Sequence, residues 1–144
     1  MKLIMERFNK FLVGEQDMKR VAKAVLIGED GKVLILKRSG NVISKESPWE
    51  WDLPGGHIEG DETSEETLDR EVWEETSLDL GKAKKIHTEE GTIFFVSREW
   101  EGKVMLSQEH EDYIWINPED VGNYNIGKKY ERAIETALGF AYVK

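Results

Sequence analysis

Apolar residues recur along this chain in two rhythms, one helical and one alternating, and the change from one to the other outlines its elements. Leu3, Ile4, Phe8, Phe11 and Leu12 stand at helical spacing within residues 2–13. They predict a short amphipathic helix in an N-terminal segment, residues 1–18, that packs on its own domain or serves as a dimer contact or pocket cover. Residues 19–27 and 32–38 then alternate as two strands, joined at Glu29-Asp30-Gly31 as a hairpin. Residues 39–48 form a polar loop of the length that often carries function. Thr63-x-x-Glu66 is a capping box opening a helix whose buried stripe is Leu68 and Val72. Residues 84–90, 92–97, 103–106 and 113–117 read as further strands. Pro118 starts a turn, and residues 128–140 read as a closing helix with Tyr130, Ile134, Ala137 and Leu138 inward. Strands on both sides of one helix, with another at the end, predict an α/β (or α+β) domain with a mixed sheet between helices.

Composition narrows this picture. With 144 residues and 39% hydrophobic content there is room for one domain with a real core, residues 19–144. The absence of cysteine removes disulfides, thiolate metal sites and a cysteine nucleophile. Leu3, Ile4 and Met5 are broken at once by Glu6 and Arg7, too short and too charged for a secretory or membrane segment, so a cytoplasmic protein without a membrane partner is expected. The formal net charge of −9 disfavours a long nucleic acid, whose binding needs a basic footprint. A small nucleotide is still compatible, provided that metal ions stand between its phosphates and the acidic wall.

The strongest chemical signal lies in residues 56–78, GHIEGDETSEETLDREVWEETSL. At about 100° of rotation per residue, Glu71 and Glu75 are ~40° apart on the helix and Glu74 flanks them, so three carboxylates are expected to point one way. A Glu-rich face is usually just solvated. Facing a concave wall, however, such a cluster calls for a cation, and all-oxygen ligands suit Mg²⁺ or Mn²⁺. Arg70, one turn before Glu74, can pair with it and hold that carboxylate in place.

The order Gly56, five residues, Glu62, seven residues, Arg70-Glu71-Val72-Trp73-Glu74-Glu75, then Thr76, Ser77 and Leu78, resembles the box of the Nudix hydrolases (MutT-like), G-x5-E-x7-R-E-U-x-E-E-x-G-U. Ser77 stands where the box has Gly, a helix-end position where a left-handed backbone is cheap only without a Cβ. Serine there is expected to strain the exit turn by ~1 kcal/mol while removing no ligand. Residues 33–38, 49–56 and 109–116 are similar to segments flanking the box, which leaves residues 1–18 outside the similarity.

The resemblance implies a Nudix-type α/β/α sandwich and a metal-dependent pyrophosphohydrolase in which water attacks phosphorus in line, splitting a nucleoside diphosphate linked to another moiety. By motif position it implies Glu71 and Glu75 as metal ligands, Glu74 as ligand or catalytic base, Gly55 as a ligand through its backbone carbonyl, and Glu109 as a further ligand or general base with Glu111 its rival. Glu109 and Glu111 share a face if that stretch is extended, so only a bulge or loop makes one of them special. Arg70 joins the catalytic set. Outside the box, Arg38 at a strand end is a candidate phosphate clamp, and Trp49, after the polar loop, a candidate pocket wall. His57, His87 and His110 share no ligand spacing.

Two other functions are compatible with this chain: a nucleotide-binding or regulatory domain without turnover, and an RNA-end pyrophosphohydrolase. Retention of all three box glutamates counts against the first, and the acidic composition against the second. A proline beyond the box, associated with ADP-ribose enzymes, is missing where Phe94 and Phe95 stand, and an upstream coenzyme A motif is also missing. A homodimer is a further possibility.

Overall fold

The computed structural model describes residues 20–45 and 48–142; the expected N-terminal helix lies outside them. Strand β1 (Val21–Leu26) pairs antiparallel with β4 (Gly55–His57) and parallel with β7 (Thr92–Ser97), and β6 (Lys84–Glu89) closes that sheet against β7. A second sheet sets β3 (Trp51–Asp52), β2 (Val33–Arg38) and β9 (His110–Ile116) side by side, all antiparallel. A two-stranded ribbon of β5 (Asp79–Leu80) and β8 (Trp100–Glu101) completes the strands.

Period-two alternation sorts the side chains onto two faces. Ala22, Ala24, Leu26, Leu34, Leu36, Ile93 and Phe95 meet Leu68 and Val72 of helix α1 (Ser64–Thr76). Their neighbours Val25, Val33, Ile35, Phe94 and Val96 meet Ala133, Ile134 and Ala137 of helix α2 (Lys128–Tyr142). Both faces are covered, which is why the central strands read as near-continuous apolar runs and why the parallel β1–β7 pair can exist. The result is an α/β/α sandwich. At about 1.5–3 kcal/mol per buried aliphatic side chain, Leu68 and Val72 alone anchor α1 firmly to the sheet. Among the described residues no helix is long and apolar enough to cross a membrane.

Three expectations need correction. The hairpin at Glu29-Asp30-Gly31 pairs only at its root, through an Ile27–Val33 bridge and a Gly28 N–H to Lys32 carbonyl bond of 2.8 Å, after which β1 and β2 part into different sheets. The segment around Pro54 comes between them: β4 takes the edge of β1, and the Pro54 carbonyl accepts the Ala24 N–H at 2.9 Å. Residues 103–106 are not a strand. Met105 and Ser107 donate their N–H groups to the Thr76 and Glu75 carbonyls at 2.8 and 3.2 Å, satisfying acceptors that the end of α1 leaves open. Lastly, Leu138 is half-buried, and Ala133 takes a core place on α2.

Candidate active site

Helix α1 starts at its capping box: the Glu66 N–H donates to Thr63 Oγ1 at 3.0 Å, and the Thr63 N–H to Glu66 Oε1 at 2.9 Å. It ends at Ser77, whose φ of 62° and ψ of 16° are left-handed, as expected for a position where the box has glycine.

Between these caps the acidic residues divide. Glu75 is 5% exposed and Glu71 half-buried, both against the Gly55-Gly56 backbone. Gly55 N–H donates to Glu75 Oε1 at 2.8 Å, and a Cβ on Gly56 would fall 2.4 Å from the carboxyl carbon of Glu71. Glycine at Gly56 is what lets that carboxylate lie on the backbone. Glu74 is turned outward, its side chain 53% exposed. The three carboxylates therefore do not share one direction.

Arg70 is bound chiefly to Glu62, through Nε at 2.7 Å and Nη2 at 3.0 Å. It also reaches Glu71 at 2.9 Å, the His57 carbonyl at 3.2 Å and, more weakly, Glu74 at 3.3 Å. Glu74, the expected partner, is thus a lesser one. Arg70 hydrogen bonding, helped by the Glu59 N–H, holds the Glu62 carboxyl down at about 2, so this pair stays ionised as a fork beneath the helix.

A family model described as the NUDIX domain matches residues 17–137. The chain belongs to the Nudix hydrolase family. An ADP-ribose pyrophosphatase of Methanocaldococcus jannaschii is 34% identical over 96 residues, 60% of this chain and 53% of that protein, so the chain spans about half the length of this relative. A nucleoside triphosphatase, NudI, of Escherichia coli is 30% identical over 122 residues, covering 70% of this chain and 84% of that protein. Among solved structures, a MutT protein of Methanosarcina mazei superposes with a TM-score of 0.70 at 29% identity, covering 86% of this chain and 95% of that one.

In this Nudix domain no three His, Cys, Asp or Glu side chains among the described residues come close enough to hold an ion by themselves. Two carboxylates do converge on one turn, however, and Mg²⁺ commonly takes only one or two carboxylates while keeping its waters and substrate oxygens. Burial pushes the Glu75 carboxyl up to about 8, against the pull of Lys23 and the Gly55 N–H, and raises Glu71 too, despite Arg70. Both groups therefore favour a positive partner, proton or metal. The donor set of Glu71, Glu75 and the Gly55 carbonyl fits a hard divalent ion.

Glu109 lies in an exposed turn before β9, its side chain without a partner among the described residues, whereas Glu111 pairs with Lys37 at 3.5 Å. The β2–β9 register runs Lys37 to Asp112 and Arg38 to His110, so Glu111 is the bulged residue and the two glutamates occupy different settings. Arg38 donates to the carbonyls of Trp49 at 3.1 Å and Val42 at 2.7 Å, bracing the polar loop. Trp49, 37% exposed, sets its ring nitrogen 3.3 Å from where a Cβ on Gly127 would be, beside Tyr130 at the start of α2.

Four further residues near this turn were not singled out as site residues by the sequence reading: Lys23, Asp52, His110 and Tyr130. Lys23 Nζ donates to Asp52 Oδ2 at 3.0 Å and to the Leu53 and Gly55 carbonyls at 3.1 and 3.2 Å. His110 is buried, which lowers its pKa to about 4, and its Nδ1 has no partner among the described residues. The signal for Lys23 was present as a lone ammonium in the apolar run VAKAVL; His110 gave none beyond its type. A groove of about 650 Å³ lined by Asp30, Arg98, Asn117 and Leu138 shares no residue with this site.

Proposed function

We propose that this Nudix domain hydrolyses a phosphoanhydride bond in a small nucleotide, a nucleoside diphosphate linked to another moiety, with Mg²⁺ or Mn²⁺ as cofactor. The observation that carries the reading is the convergence of buried Glu75 and half-buried Glu71 on the Gly55-Gly56 backbone. The ion, when bound, offsets charge on the phosphoryl oxygens and acidifies water. The chain's own part is to fix its donors. Arg70 steadies Glu71, the Gly55 N–H steadies Glu75, and Glu74 or Glu109 receives a proton as base. Arg38 and Trp49 line the approach to the nucleotide. The relatives named for ADP-ribose and for nucleoside triphosphates support a nucleotide diphosphate or triphosphate as substrate class, and they keep ADP-ribose a candidate even though the proline of its marker is missing. The acidic charge favours a small ligand over an RNA chain, in a cytoplasmic setting.

The test is a phosphate-release screen over nucleoside triphosphates, ADP-ribose and other nucleotide sugars, and dinucleoside polyphosphates, with Mg²⁺, with Mn²⁺ and with EDTA. EDTA is expected to abolish turnover. Glu75→Gln is expected to lower kcat by two to four orders of magnitude, roughly 3–5 kcal/mol of transition-state stabilisation, with the exposed Glu65→Gln nearly silent. Full activity in metal-free buffer, or equal losses from both substitutions, would sink the reading.

A further inference from the structure

Lys23 is the one charged residue of β1, a strand otherwise made of Val, Ala and Leu, and it is 6% exposed. A buried ammonium is tolerated only when paired and fully hydrogen-bonded. Here its three donors go to three acceptors: the Asp52 carboxylate on β3, the Leu53 carbonyl and the Gly55 carbonyl. No N–H is left to reach a phosphate. Burial alone would lower the Lys23 pKa, but the attraction of Asp52 and Glu75 outweighs it and the ammonium stays charged.

The position of this ammonium gives it a task. It bridges the two sheets at the place where β1 and β2 part, and it grips the Gly55 peptide from its carbonyl side while Glu75 grips the same residue from its N–H side at 2.8 Å. A carbonyl oxygen has two lone pairs, so Lys23 occupies one and leaves the other free. Gly55 itself, at φ 138°, lies so close to β1 that only glycine fits, since a Cβ there would lie 2.0 Å from the Ala22 carbonyl oxygen.

We propose that Lys23, anchored by Asp52, is a positioning residue for the divalent cation: it clamps the Gly55 peptide so that the carbonyl and the Glu75 carboxylate are held together as metal donors. The inference rests on the metal reading given above. It also makes an uncommon demand, because a positive charge is being used to improve a cation site. Once Glu75 is ionised in both proteins, Coulomb's law alone has the ion bind more tightly when that charge is removed; if Lys23 works by positioning, removing it loosens the ion.

The sign is read by titrating Mn²⁺ into the metal-free full chain at a series of pH values, which separates proton competition at Glu75 from the pH-independent Kd, and following free Mn²⁺ by electron paramagnetic resonance, with no turnover required. Lys23→Met is expected to raise the Mn²⁺ Kd by about 10- to 100-fold, the scale for losing a group that orients a ligand. Half-saturating Mg²⁺ for turnover shifts upward in parallel, while the substrate KM at saturating Mg²⁺ stays put. The double variant Lys23→Met/Asp52→Asn leaves no buried unpaired charge and keeps an oxygen for the Leu53 N–H, which Asp52 Oδ1 accepts at 2.8 Å, so it covers the case where the single variant does not fold. It carries the same expectation. A folded variant that binds Mn²⁺ as tightly as the wild type, or more tightly, even with a lowered Tm, overturns the proposal and reduces Lys23 to a stabilising ion pair. A wild-type chain that binds no Mn²⁺ overturns instead the metal reading on which it rests.

Discussion

Glu109 and Glu111 show what one bulged residue does to a pair that looks equivalent on a strand. The shift that sets Arg38 against His110 and Lys37 against Asp112 leaves Glu111 out of the ladder, where it pairs with Lys37, while Glu109 sits in the turn before it. If Glu109 serves as a ligand or base, Glu109→Ala lowers kcat by ~10²-fold or more and Glu111→Ala changes little, measured as kcat against Mg²⁺ concentration. Wild-type kinetics in Glu109→Ala would remove it from the chemistry. Residue identity and spacing were enough to bring Glu71 and Glu75 to one turn, since helical rotation fixes their relative angle. They were not enough for Glu74 or Arg70, whose directions depend on Glu62, eight positions from Arg70 and outside the helix. His110 was illegible for a related reason: its burial comes from the packing around it, and no local pattern encodes that.

Elements followed the same division between local and non-local causes. Helix α1 was readable because its start signal, apolar stripe and end are all written within residues 63–77. Ser77 offers a check on that end. Its left-handed backbone costs roughly 1–2 kcal/mol for a residue with a Cβ, against about 0.5–1 kcal/mol of extra chain entropy that a glycine loses on folding. Ser77→Gly should therefore raise stability by on the order of 0.5 kcal/mol, net of its 3.3 Å bond to the Met105 carbonyl, seen as a higher urea midpoint at unchanged m-value. A lower midpoint would mean that this hydroxyl matters more than the strain. The splayed hairpin and the unpaired residues 103–106 were illegible because alternation predicts an extended chain without naming its partner. In both places the partner was the box itself, through β4 on one side and the carbonyls of α1 on the other.

For the whole molecule, the buried carboxylate links folding to pH and to metal. Burial puts the Glu75 pKa at about 8, above the ordinary 4.5, so the metal-free folded protein keeps a proton that the unfolded chain has released, and stability falls as pH rises through that interval. His110, at about 4 against 6.5, works in the opposite sense, adding stability as pH climbs between those two values. From about 6.5 to 8 only the Glu75 effect remains of the two, and the metal-free protein should lose on the order of 1–2 kcal/mol across it. If Mg²⁺ binds Glu75 as proposed, saturating Mg²⁺ takes the place of the proton and should flatten the slope. Melting curves at pH 6.5 and 8, in EDTA and in excess Mg²⁺, check this; a Tm in EDTA that is level or rising over the window would contradict it.

The tightness around Gly55 and Gly56 bears on how such a protein can diversify. Any side chain at Gly55 would meet the Ala22 carbonyl at 2.0 Å, and any at Gly56 would push the Glu71 carboxylate aside, so mutation at the first breaks the turn and at the second displaces a carboxylate of the site. The loop braced by Arg38 and the start of α2 around Gly127 and Tyr130 carry no such restriction from the carboxylates. Heritable variation is thereby steered to the rim. On the proposed reading, new substrates can be acquired by changing what surrounds the ligand while the glycine turn and its carboxylates are passed on intact.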